Sequence, residues 1–155
     1  MTTDTIAEEP ERASALPYTV WCRQLETALA PLDDCHIECD GMTWTISHLL
    51  TTARIPHTCM VGSARHHISA QTVRPHFWIE LSNGWLIDFR LRMWLRNDVT
   101  IPHGVFSVRD SSAVEYSGQP IQSPLHGQQG RQILSILTDG QISLVTLPSR
   151  PVANS

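Results

Sequence analysis

The sequence predicts a small α+β domain in which N-terminal helices pack on an antiparallel β-sheet. Three observations carry this. Two runs with apolar residues at three- and four-residue spacing come first, residues 18–30 and 40–53. Strict alternation follows in residues 75–81, the pattern of a half-buried strand. A turn signal, Ser82-Asn83-Gly84, then leads into a second apolar run, residues 85–89, so the two form a hairpin.

The chain has 155 residues, 41% hydrophobic and 17% charged, which suits one globular domain with a real core rather than a disordered chain. Residues 1–16 read as a disordered lead-in closed by Pro17, residues 17–148 as the domain, and 149–155 as a tail. In the first helix Val20, Leu25 and Leu29 line one side and Pro31 stops it. In the second, Thr43, Ile46, Leu50 and Ala53 share a face with Leu49 beside them. Asp40 or Thr43 caps its start, and Ile55-Pro56 ends it. Residues 57–63 read as a strand with Cys59 and Val61 on one side, and 64–74 as a polar connection. On the alternating strand His76, Trp78 and Glu80 face one way, Phe77, Ile79 and Leu81 the other. Residues 104–109 and 113–116 read as short strands and 117–130 as a loop. Residues 131–137 and 141–147 read as a last hairpin turning at Asp139-Gly140.

Composition narrows the function. A formal net charge of −4 argues against nucleic acid as partner, because phosphate neutralisation needs clustered cations. Arg90, Arg92 and Arg96 read as one solvated face. No run approaches the roughly 20 apolar residues of a membrane span. The acidic N-terminus lacks the basic and apolar regions of a signal peptide, so the expected compartment is the cytosol, where Cys22, Cys35, Cys39 and Cys59 stay reduced. A zinc site would have to draw on Cys35, His36, Cys39, His57, Cys59, His66, His67 and His76. Their spacing fits paired zinc ligands only loosely, so no metal is expected.

The chemistry concentrates on three residues. Cys39 immediately precedes the second helix, where the helix dipole and free N–H groups favour a thiolate and its own N–H can help hold an oxyanion. His76 opens the best strand as a candidate base, and Asp88 lies on the returning strand as the group that orients it. Register decides whether they meet. A two-residue loop, Asn83-Gly84, sets Ile79 opposite Asp88 and puts the acid on the wrong face. A three-residue loop with Gly84 left-handed pairs Trp78 with Asp88, making His76 and Asp88 diagonal neighbours on one face. The triad therefore requires the longer loop. Cys35 and His103 are rival nucleophile and base, and Cys22 and Cys59 read as core. Trp21 or Gln24 could donate to the oxyanion, and Trp44 and Trp78 could wall the cleft.

Several motifs fall in a familiar order. Cys39-Asp40-Gly41 starts a helix ending in Leu49-Leu50. Ala53-Arg54-Ile55-Pro56, Cys59-Met60-Val61-Gly62, His76-Phe77-Trp78-Ile79-Glu80 and Gly84-Trp85-Leu86-Ile87-Asp88 then follow. Over residues 37–90 this resembles the core of transglutaminase-like domains. The resemblance implies a papain-like fold and a Cys39-His76-Asp88 triad that transfers an acyl group from a peptide or protein amide, with no cofactor. The alternative is a non-catalytic module that keeps the fold and binds a peptide or protein in the cleft.

Overall fold

The fold is α+β, as a computed structural model of the chain shows for residues 9–96 and 98–151, with side chains from Pro17 onward. Residues 1–8 of the expected lead-in and 152–155 of the expected tail lie outside the described residues.

Helix α1 spans Glu9–Leu29, so half of the expected lead-in is helical. Glu, Arg and Ala are strong helix formers, and Pro10 sits in the first turn, where its missing N–H leaves no bond unmade. The buried stripe is Trp21, Cys22, Leu25 and Leu29, with Val20 on the exposed side rather than the inner one. Pro31 falls in a 3₁₀ turn, Ala30–Asp34, that follows directly. Helix α2, Cys39–Thr52, is buried nearly all round, through Met42, Thr43, Ile46, Leu49 and Leu50 among others. Neither expected cap holds. Glu38 is the N-cap and makes no side-chain bond, while Thr43 Oγ1 donates back to the Cys39 carbonyl. Ala53 lies past the helix end and is exposed.

Five antiparallel strands follow: β1 Thr58–His66, β2 Thr72–Glu80, β3 Trp85–Asp88, β4 Gly104–Ser107 and β5 Val114–Pro120, in the order β4-β3-β2-β1-β5. The polar stretch 64–74 is thus mostly strand. Its polarity misleads because Ala64 and His66 alternate inward while Arg65 faces water. One face of the sheet carries Phe77, Ile79, Ile87 and Val105 into the core beneath α1 and α2. The other carries Met60, Trp78, Leu86 and Phe106, closed by Tyr116.

The sheet is strongly curled. In a flat sheet β5 and β3, three strands apart, would lie about 14 Å from each other. Yet the Tyr116 hydroxyl on β5 reaches Asp88 on β3 at 2.9 Å, and its ring lies 6.2 Å from that of Phe106 on β4. Two glycines permit the bend. Gly62 and Gly118 sit opposite each other, and a Cβ on either would collide with the facing backbone.

Helices also follow strands. A short helix, α3, spans Leu91–Trp94. The expected last hairpin is instead helix α4, Gly127–Leu137, with a 3₁₀ turn, Gln141–Leu144, after it. β-Branched residues in QILSIL suggest a strand, but Gly130, Leu134 and Thr138 are buried at four-residue spacing, a helical stripe. The turn between them does fall at Asp139-Gly140, both at positive φ. Among the described residues, no helix is long and apolar enough to cross a membrane.

Candidate active site

The hairpin closes with the longer loop. The Leu81 amide donates to the Trp85 carbonyl, and Ile79 pairs with Ile87 and Glu80 with Leu86. Asn83 and Gly84 both take positive φ, the conformation the turn needs. The same register carried one pair further sets Trp78 against Asp88. His76 and Asp88 then share a face, and His76 Nε2 lies 2.6 Å from Asp88 Oδ2.

Four donors surround that carboxylate. Besides His76, the Tyr116 hydroxyl donates to Oδ2, while the backbone amides of Arg90 and Leu91 donate to Oδ1 at 2.9 and 3.1 Å. Such donors satisfy the lone pairs of a buried carboxylate and fix its plane. The pair is dry, with side-chain exposures of 0% for His76 and 1% for Asp88. Burial, the largest influence on His76, lowers its pKa. The Asp88 charge and hydrogen bond, followed by contact with the Cys39 thiol, outweigh it and push the imidazole up to about 9. Burial and then the Asp88 charge raise the Tyr116 phenol well above its ordinary value, so it stays a donor.

Cys39 is the first residue of α2, so its amide has no intrahelical partner. Its thiol is the other side chain, besides Asp88, that raises the His76 pKa. The ring's other nitrogen, Nδ1, is buried and has no hydrogen-bond partner. Access is narrow. Cys39 keeps 7% exposure, and a void of about 10 Å³ between it, Phe77, Asp88 and Arg90 has room for one water at most.

The cleft-wall candidates divide. Trp78 stacks on His76 with ring centroids 6.1 Å apart and a 20° tilt, and Trp44 packs edge-on against Phe77, which borders the void. The two oxyanion candidates lie elsewhere. Trp21 Nε1 donates to the Pro148 carbonyl, and Gln24 is exposed along an open groove with Thr146, Leu147 and Pro148. α1 turns Trp21 inward for packing and Gln24 outward, which spacing from Cys39 alone could not reveal. The rivals have other partners as well. Cys35 contacts the Thr138 carbonyl, and His103 binds Asp33 at 2.7 Å. Cys22 and Cys59 are core, as expected. All four cysteines are free. Among the described residues, no three His, Cys, Asp or Glu side chains gather so as to hold a metal ion.

Two residues at the site escape a reading of the sequence. Tyr116 gave only the signal of a residue in a short strand, and its reach depends on the curl of the sheet. Arg90, read as part of a solvated face, is 3% exposed. It follows the strand end and turns inward, where carbonyls and Asp33 receive it. Compared with known proteins, the chain matches no family model, no curated protein and no solved structure.

Proposed function

We propose that this chain is a cysteine-dependent acyl-transfer enzyme of the transglutaminase-like, papain-like class, acting on an amide of a peptide or protein in the cytosol. The observation that carries this reading is the two-sided imidazole of His76. One ring nitrogen is held by Asp88 at 2.6 Å, the other is buried with no hydrogen-bond partner, and the Cys39 thiol acts on the ring. An imidazole raised to about 9 is charged at neutral pH, which suits a thiolate–imidazolium pair.

In this reading the Cys39 sulfur attacks the carbonyl carbon and the oxyanion forms beside the N-terminal amides of α2. His76 hands its proton to the leaving amine, the C–N bond breaks, and an S-acyl enzyme remains. Water or a second amine then attacks, His76 takes its proton, and the thiolate leaves. Asp88 keeps the imidazole in one tautomer throughout. The outcome is a peptidase, a deamidase or a transferase according to the acceptor. No step calls for a cofactor.

Thiol alkylation tests the reading. Burial raises the thiols of Cys22, to about 11, and of Cys35 and Cys59, so all three are slow at neutral pH. Cys39 is expected to react with iodoacetamide at least tenfold faster than any of them at pH 7, and H76A to abolish the difference. Uniform slow labelling would instead favour the second reading, a module that binds a peptide or protein partner without turning it over. The closure of the site, with His76 wholly buried, is the observation on that side.

A further inference from the structure

The guanidinium of Arg90 is buried, and each of its three nitrogens donates. Nε donates to the Ile37 carbonyl at 2.6 Å, and one terminal nitrogen to Asp33 Oδ1 at 2.7 Å and the Phe89 carbonyl at 2.9 Å. The other terminal nitrogen serves the carbonyls of Cys35 at 2.9 Å, Asp33 at 3.2 Å and Leu32 at 3.4 Å. Four backbone carbonyls between residues 32 and 37 thus converge on one side chain, and the chain reaches Cys39 two residues later. Residues Ala30–Asp34 form a 3₁₀ turn, and the Leu32 and Cys35 carbonyls also accept the Cys35 and Ile37 amides. These short turns make no extended ladder, so the guanidinium is what ties them to the strand end. Meanwhile the backbone amide of the same Arg90 donates to Asp88 Oδ1.

From these contacts we infer that Arg90 is a positioning residue that fastens the approach to the nucleophile onto the acid. Its side chain grips residues 32–37 and its main chain grips Asp88, so the distance between Cys39 and the His76–Asp88 pair is set through one residue. The inference rests on the Cys39-His76-Asp88 reading. Lysine cannot replace arginine here, because an ammonium has three donors from one atom and no planar fork to span carbonyls of separate residues.

The test compares Arg90→Lys with the wild type, following Cys39 alkylation against pH in protein shown to be folded by circular dichroism. Alkylation at pH 7 is expected to fall about tenfold and its pH profile to change shape, an effect that a purely structural role would not produce. A folded Arg90→Lys whose profile superimposes on the wild type overturns the proposal. Should that variant not fold, Asp33→Ala decides. It removes the side-chain acceptor of one terminal nitrogen and so loosens the fork, and is expected to slow Cys39 about threefold; an unchanged profile overturns the proposal. Failure of the triad reading looks different, since wild-type Cys39 itself then labels no faster than Cys35. In that case amide hydrogen exchange of residues 35–39 in Arg90→Lys is decisive: lost protection sustains the grip, and unchanged protection overturns it.

Discussion

At the scale of single residues, the site is governed by how many donors one buried carboxylate serves. Asp88→Asn keeps an oxygen for the Arg90 and Leu91 amides but removes the charge beside His76. The imidazole pKa is expected to fall from about 9, and Cys39 alkylation at pH 7 to slow at least tenfold, both measurable by ring NMR titration and mass spectrometry. Tyr116→Phe removes one donor from Oδ2 and leaves more of its negative charge to His76. The ring pKa should therefore rise, while stability drops by about 1 kcal/mol. The pH dependence of folding has a definite sign. His76 titrates higher in the folded chain than its ordinary 6.5, so its contribution is fully present below pH 6.5. It is lost as pH climbs through about 9. Urea unfolding between those values should show this fall, and Asp88→Asn should flatten it.

At the scale of elements, two glycines of different kinds separate backbone freedom from close approach. Gly84 takes φ of +73° in open space, so Gly84→Ala should cost only the left-handed penalty, about 1 kcal/mol. Gly62 faces Gly118 across the β1–β5 pair, and a Cβ there meets backbone that cannot yield. Gly62→Ala should cost about 3 kcal/mol by urea titration, and should separate Tyr116 from Asp88 as β5 is pushed off. Helix α4 is held by Leu134, wholly buried, so Leu134→Ala should cost about 2–5 kcal/mol while leaving the hairpin of β2 and β3 intact.

At the scale of the whole molecule, what could be read in advance was what short-range rules govern. Period-two alternation and the Asn83-Gly84 signal defined the hairpin. They stated the condition under which His76 and Asp88 meet, and the 82–84 loop meets it. The start of α2 at Cys39 was likewise legible, one residue from where periodicity placed it. Features that depend on tertiary closure were not. QILSIL carries strand-like residues on a helix because α2 offers a surface that buries Leu134. Arg90 lies inward because distant carbonyls need donors, and Tyr116 reaches its partner because the sheet bends. That bend has a bearing on when the cluster around Asp88 is complete during synthesis and refolding. Carboxylate and imidazole precede β5 in the chain, but the phenol arrives only with the last strand to join, on an edge where fraying is easiest. A half-folded molecule therefore leaves the buried carboxylate one donor short, and the closing of that phenol onto it marks the moment the chain has finished assembling.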